Sequence, residues 1–316
     1  MTDERVRRAA AVLAAGAHGP VTIDAPIGPM TSYRIGGPAG ISLEVEGDDD
    51  LVALAAAVAE TGLSVLVIGR GSNVLVSDRG FPGIVVRLGS GYRWHRVDGT
   101  VVEAGAAMPL PALATTAMDH ALTGLEFGVA IPASVGGAVR MNAGAHGTEI
   151  KDVLASAEVF VLPEARRRTI PVEEAGFAYR SSRFPSGAVV VGARFALEPG
   201  DRQRIGARLH EVKEWRRANQ PLSMPNGGSV FKNPPGDAAG RLVETICGKG
   251  MRVGGASVSD VHANFIVTDP RARADDVYTL IRRIQRRVLA DAGVELEPEL
   301  KLVGEFQEVG DGSDAG

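Results

Sequence analysis

The sequence predicts a globular protein of mixed helices and strands in two domains, the first divisible into two parts. Three observations carry this. The chain has 316 residues, about twice the usual domain size. Short apolar runs alternate with segments of helical periodicity along its whole length. Hydrophobic residues make up 45% and charged residues 23%, the balance of a soluble globular protein with a sizeable core.

The elements follow in order. Residues 1–15 read as a helix, and a strand-like segment comes next. Within residues 50–60, Leu51, Leu54, Ala55 and Val58 recur at helical spacing. Residues 64–68 form a short buried-type strand that opens into Gly69-Arg70-Gly71-Ser72-Asn73-Val74, and residues 84–88 form another. A second part starts with a strand at 101–104 and a helix at 109–121, with Pro109 and Pro111 in its first turn, where a missing N–H costs little. A long glycine-rich loop spans 131–147, and strands return at 157–162 and 189–197. A helix over 202–218 opens the third part, with Ile205, Leu209, Val212 and Trp215 on its apolar face. A short helix through Leu242, Val243 and Ile246 ends at Gly248, and a strand covers 264–268. Residues 274–292 are a strongly amphipathic helix through Val277, Leu280, Ile281, Ile284 and Val288. A last strand at 299–303 precedes a Gly- and Asp-rich tail, 306–316, of disordered composition. The expected domains are therefore 1–200, in parts meeting near residue 90, and 201–305.

Composition narrows the function. A net charge of −4 does not mark a nucleic-acid binder. The one cysteine, Cys247, excludes an internal disulfide and a multi-cysteine metal site, and fits a reducing cytoplasm. No apolar stretch reaches the roughly 20 residues of a membrane span, and the start of the chain lacks the pattern of a signal peptide. No metal and no membrane partner are expected. Composition does not set the oligomeric state.

The 40 glycines are about twice the usual share, and many sit in loops able to approach a ligand. Gly69-x-Gly71 after a strand suits a phosphate, but it is not a Rossmann fingerprint. Val74 takes the third glycine position, the segment after Asn73 reads as strand, and no acidic residue lies about 20 positions on. The 131–147 loop is more specific. Pro132 fixes its turn, Ser134 and Asn142 can hydrogen-bond, and Gly136 and Gly137 permit close approach. Tight packing of two sheets would also use such residues. Asn226-Gly227-Gly228-Ser229-Val230-Phe231-Lys232-Asn233-Pro234 presents one serine hydroxyl after a glycine pair and ends on a proline. A plain connecting turn is the alternative there.

Together these segments resemble the UDP-N-acetylenolpyruvoylglucosamine reductase family. The matching residues are Tyr33-Arg34-Ile35-Gly36-Gly37; Gly69-x-Gly71-Ser72-Asn73; Gly124-Leu125-Glu126-Phe127 with Ile131-Pro132-x-Ser134-Val135-Gly136-Gly137-Ala138; Met141-Asn142-Ala143-Gly144-Ala145; Tyr179-Arg180-x-Ser182; Gly228 to Pro234; and Leu296-Glu297-Pro298-Glu299-Leu300-Lys301. They follow family order from about Thr31 to Gly304.

The resemblance implies a two-part FAD-binding region of the vanillyl-alcohol-oxidase (PCMH) type and a C-terminal α+β substrate-binding domain. It implies non-covalent FAD, NADPH as reductant, and a UDP-sugar substrate whose enolpyruvyl group becomes a lactyl ether. The cofactor residues it implies are Tyr33, Arg34, Gly69, Gly71, Ser72, Asn73, Ile131, Pro132, Ser134, Val135, Gly136, Gly137, Asn142, Ala143 and Gly144. The implied catalytic residues are Arg180, Ser229 and Glu299, with Lys232 and Asn233 on the substrate. The chemistry agrees with this set. Hydride addition at the β carbon builds enolate charge on the carboxylate, which suits a permanent planar cation. The α carbon then needs a proton donor. Taken singly, Arg180 reads as a surface ion pair and Glu299 as a strand-end charge.

Two departures matter. Ala130 and Ala133 stand where the family usually has glycine, and would be strained if either needs positive φ. No tyrosine occurs between Phe184 and Gly228, which implies the shorter subtype, without a tyrosine-bearing substrate loop. The alternatives are a flavin oxidase of related fold, which needs no serine donor, and a catalytically silent nucleotide-binding protein, which needs none of the three residues. Arg282, Arg283, Arg286 and Arg287 read as a solvated helix face, His262 as structural, and Cys247 as a small buried hydrophobe; His146 sits in the expected cofactor loop, where the resemblance implies no covalent flavin attachment.

Overall fold

The computed structural model describes residues 4–310. They form two compact units, each assembled from three stretches of chain. The first takes the described residues up to 25, with 40–70 and 82–216; the second takes 26–39, 71–81 and those from 217 on.

The first unit contains two sheets. A four-stranded sheet runs in the order Val21–Pro26, Pro38–Val45, Phe81–Leu88, Val65–Val67. Its last two strands are parallel, with Val65 opposite Ile84. Helices Glu4–Gly16 and Asp48–Thr61 bury Leu13, Leu51 and Leu54 in one cluster with Ile41, Leu43 and Ile84 of this sheet. Helix Asp48–Thr61 stops at Gly62, whose φ of 65° places it in the left-handed region.

The second sheet has the order Arg166–Pro171, Leu154–Val161, Ala188–Ala196, Val101–Gly105, His95–Asp98, antiparallel throughout. Helices Leu110–Asp119 and Arg202–Asn219 join its core through Leu110, Leu113, Ile205, Leu209 and Val212. Trp215 departs from its expected place on that apolar face. It is 46% exposed because the helix has run past the core by its last turn, and it stands edge-on to His146 at 5.0 Å.

The glycine-rich stretch 131–147, expected as one loop, contains helix Val135–Arg140. Ser134 caps it, accepting from the Gly137 N–H at 3.3 Å. Gly136 is required by packing, since a Cβ there would stand 2.8 Å from the Ala106 Cβ. Neither Ala130 nor Ala133 has positive φ, so alanine is unstrained at both.

The second unit holds the sheet Arg252–Val253, Ala256–Val258, Ile266–Thr268 and helices Ala239–Ile246 and Ala274–Ala292. The long helix buries Val277, Leu280, Ile281, Ile284 and Val288 to 1% exposure or less. Strand Lys301–Val303 lies parallel to Val74–Val76, so the segment after Asn73 is indeed strand. Of the tail expected from 306, Phe306 stacks on Tyr278 at 4.8 Å and the Val309 N–H donates to Thr279 Oγ1 at 2.8 Å. Residues 311–316 lie outside the described residues. No described helix is long and apolar enough to cross a membrane.

Candidate active site

In the first unit the expected residues fall into two groups. Gly69 lies against Ser134: a Cβ at Gly69 would stand 2.3 Å from the Ser134 hydroxyl. Ile131 and Pro132 lead into the capping serine, and the backbone there is held by neighbours. The Ala133 carbonyl accepts from the Leu110 N–H at 3.0 Å, and the N–H groups of Val135 and Gly136 donate to Met108 and Ala106 at 2.8 and 2.9 Å. The turn is thus shaped by internal bonds.

The second group gathers around Arg180. Asn142 is fully buried with φ 42°. Its amide donates to Glu149 Oε2 at 2.9 Å and to the Ala178 carbonyl at 3.0 Å, and accepts from the Lys151 N–H at 3.0 Å. The Ala143 N–H donates to Ala138 at 2.9 Å, its carbonyl accepts from Ile150 at 3.0 Å, and Gly144 pairs with Glu149 in a short antiparallel ladder. Arg180 has φ 53°, in a turn closed by reciprocal Ala178–Ser181 bonds of 3.1 Å. Its guanidinium donates from Nη2 to the Gly144 carbonyl at 2.8 Å and from Nη1 to Glu149 at 3.3 Å. It also lies over the Tyr179 ring at 4.8 Å.

In the second unit four separated segments are tied together. Ser32 donates from its backbone to the Gly71 carbonyl at 3.0 Å and from its hydroxyl to the Asn226 carbonyl at 2.6 Å. Gly71 has φ 62°, and a Cβ there would stand 2.2 Å from the Met30 carbonyl oxygen. Arg34, exposed, takes φ 60°. Ser72 leads to Asn73, whose amide donates to the Glu299 carbonyl at 3.2 Å. Ser229 is half-buried and follows Gly228 at φ 77°. The Glu299 N–H donates to the Val230 carbonyl at 2.8 Å. Ser229 and Glu299 are therefore brought together, while Arg180 belongs to the other unit.

Lys232 pairs with Glu297 at 2.6 Å. Asn233 accepts from the Ala239 N–H at 3.0 Å, at the start of helix Ala239–Ile246. Sequence reasoning missed Asn264, which clamps the serine loop through Phe231 with bonds of 3.0 and 2.9 Å. It also missed Glu149 beside Arg180. Both lie within runs of ordinary residues, and neither carries a local motif. Cys247 is half-buried, and burial pushes its thiol pKa up, which suits an inert hydrophobe. Burial lowers the pKa of His262.

Residues 220–303 match the C-terminal domain of UDP-N-acetylenolpyruvoylglucosamine reductase, and residues 41–169 match an FAD binding domain. The chain is 44% identical over 283 residues to the UDP-N-acetylenolpyruvoylglucosamine reductase of Anaeromyxobacter dehalogenans strain 2CP-C, covering 90% of this chain and 85% of that one. The chain belongs to the UDP-N-acetylenolpyruvoylglucosamine reductase family. A second family member, reductase 2 of Symbiobacterium thermophilum, is 45% identical over 280 residues, 88% of this chain and 91% of its own. The crystal structure of the reductase from Thermus caldophilus superposes with a TM-score of 0.79 at 36% identity, covering 91% of this chain and 99% of that one. The fold is thus the FAD-binding region of PCMH type followed by the family's C-terminal domain.

The residues present fit a bound flavin nucleotide. The Tyr33 hydroxyl is the one buried side-chain polar atom without a hydrogen-bond partner among the described residues. Burial raises its pKa; the nearby Gly227 N–H tempers the rise without meeting hydrogen-bond geometry. An orphaned hydroxyl of this kind is costly unless a ligand completes it. A Cβ at Gly69, Gly71 or Gly136 would meet the protein's own Ser134, Met30 or Ala106, so packing accounts for these glycines and the Tyr33 hydroxyl carries the fit.

Proposed function

We propose that the chain reduces the enolpyruvyl ether of UDP-N-acetylglucosamine to the lactyl ether of UDP-N-acetylmuramate, a step of peptidoglycan precursor synthesis. It is an FAD-dependent oxidoreductase with NADPH as reductant. The observation that carries this reading is the identity of 44–45% over about nine-tenths of the chain with named reductases. Bound FAD supplies the hydride transfer, from NADPH to the β carbon of the enolpyruvyl group. Tyr33, Arg34, Gly69, Gly71, Ser72, Asn73, Ile131, Pro132, Ser134, Val135, Gly136, Gly137, Asn142, Ala143 and Gly144 are the residues assigned to hold it.

The protein's own groups handle charge and proton. As hydride arrives at the β carbon, electron density moves to the substrate carboxylate, and Arg180 stabilises it with a fixed, planar cation. Ser229 donates the proton that completes the α carbon. Glu299, bonded to the serine loop through its backbone, belongs to the polar network that directs that proton. Lys232 and Asn233 are assigned to the substrate. The absence of tyrosine between Phe184 and Gly228 supports the shorter subtype: strand Ala188–Ala196 and helix Arg202–Asn219 occupy most of that span. The lone cysteine supports a cytoplasmic setting, and the net charge supports small-molecule partners only.

The deciding experiment reduces the purified holoenzyme with NADPH without oxygen, removes excess nicotinamide, and adds the enolpyruvyl UDP-sugar. Flavin colour should return, with a product two hydrogens heavier by mass spectrometry. Reduced flavin that persists in excess sugar refutes the reading.

A further inference from the structure

We infer that Glu149 is the positioning residue that aims the Arg180 guanidinium. This rests on the assignment of Arg180 to the substrate carboxylate. The side chains of Arg180 and Glu149 are only 17% and 20% exposed, so this is not a solvated surface pair. Glu149 Oε1 accepts from Arg180 Nη1 at 3.3 Å, while its Oε2 accepts from the buried Asn142 amide at 2.9 Å and lies 3.1 Å from Lys151 Nζ. The other guanidinium terminus, Nη2, donates to the Gly144 carbonyl at 2.8 Å. Gly144 is the residue directly opposite Glu149 in the two-strand ladder. One small ladder therefore grips both ends of the guanidinium.

Two further observations make the grip specific. A side chain at Gly144 would stand 2.8 Å from the Glu149 Cγ and 3.1 Å from Arg180 Nη1, so only glycine leaves room for the carboxylate to reach. Asn142 and Arg180 both hold left-handed backbone, φ 42° and 53°; asparagine tolerates it, but arginine is uncommon there and keeps it where the surroundings impose it. The Asn142–Glu149–Arg180 chain of bonds supplies that imposition.

The electrostatics argue for aiming over strength. A carboxylate beside Arg180 offsets part of the cation's field, which a group selected only for charge would avoid. A flexible arginine left unheld samples many rotamers. Fixing its plane before substrate arrives removes that cost from the step in which charge develops.

The test uses the FAD-loaded enzyme with Glu149→Gln, Glu149→Asp, Glu149→Ala, Arg180→Ala and the Glu149→Ala/Arg180→Ala double variant. Both half-reactions are followed separately by anaerobic stopped-flow. Glu149→Gln keeps the shape but turns an N–H toward a donor; it should slow the enolpyruvyl half-reaction roughly 10- to 100-fold through kcat rather than KM, with NADPH oxidation within about threefold of normal. Glu149→Asp, which keeps the charge, should recover part of the loss. In the Arg180→Ala background, Glu149→Ala should add less than about twofold, because both act through one group. Losses that multiply in the double variant, equal slowing of both half-reactions, or full-rate Glu149 variants beside a slow Arg180→Ala would overturn the inference alone. A full-rate Arg180→Ala would refute the parent assignment and this inference with it.

Discussion

The backbone N–H of Glu299 donates to the carbonyl of Val230 at 2.8 Å. The acceptor is the residue after Ser229, so the serine loop and the segment carrying Glu299 are one backbone construction. The pairing continues: Phe231 bridges Pro298, and the Lys232 N–H donates to the Glu297 carbonyl at 2.9 Å. Asn264 clamps the same loop from its other side. Replacing the serine hydroxyl therefore leaves the loop's own bonds in place.

Ser229→Ala should leave the reduction of bound flavin by NADPH close to normal. The second half-reaction, with the enolpyruvyl sugar, should slow by about 10² to 10⁴ as expected for a lost general acid. Ser229→Cys should restore part of the rate, since a thiol also donates a proton. Stopped-flow absorbance separates the two halves. Slow flavin reduction with normal reoxidation would place Ser229 on the nicotinamide side.

Arg180→Ala and Glu299→Gln should each slow the second half-reaction by roughly 10² or more. Both should retain flavin and fold. Normal turnover in both would reduce them to structural charges, and the measurement is steady-state kcat together with the single-turnover rate.

Tyr33→Phe removes a hydroxyl that is buried and unpartnered in the protein alone. The apoprotein should be as stable or more stable, because an unsatisfied buried polar group is lost. FAD should bind about 5- to 10-fold more weakly if the hydroxyl meets the cofactor, the equivalent of one ordinary hydrogen bond. All flavin should leave on acid precipitation and run as FAD, since the attachment is non-covalent. Unchanged FAD affinity in the Phe variant would remove Tyr33 from the cofactor set.

Asp50 sets a pH dependence of stability. It is 1% exposed, and its carboxylate accepts from the N–H groups of Glu46 and His18 at 2.7 and 2.6 Å and of Gly47 and Gly19 at 3.3 and 3.2 Å. Burial opposes its ionisation, but the four backbone donors outweigh it and hold its pKa below the usual value. A carboxyl depressed in the folded state contributes stability above its unfolded pKa, near 4. That contribution fades as pH falls through the folded value. Asp50→Asn should cost about 2–3 kcal/mol near neutral pH and flatten the loss of stability below about pH 4. Thermal melts from about pH 2 to about pH 7, spanning the fall through the folded value and the plateau above the unfolded one, check both, and an unchanged slope would contradict the assignment.

Some of this protein was legible in its sequence for a local reason. Helix Ala274–Ala292 was legible through the 3.6-residue recurrence of Val277, Leu280, Ile281, Ile284 and Val288 within it, because one face alone must be buried. The order of glycine, serine and arginine motifs likewise carries the family, since each is a short contiguous run. Strand Arg166–Pro171, with three arginines in succession, has no such pattern. It exists because it is an edge strand hydrogen-bonded to Leu154–Val161, and an edge tolerates charge. Helix Val135–Arg140 hid among glycines because its start depends on one capping serine and its packing on Ala106. Only the tertiary structure gathered Asn142, Gly144, Glu149 and Arg180, because hydrogen-bond geometry is set by where separate turns meet. For the same reason only it showed three stretches of chain interleaving into each unit: burial and pairing act across sequence distance, where periodicity carries no signal.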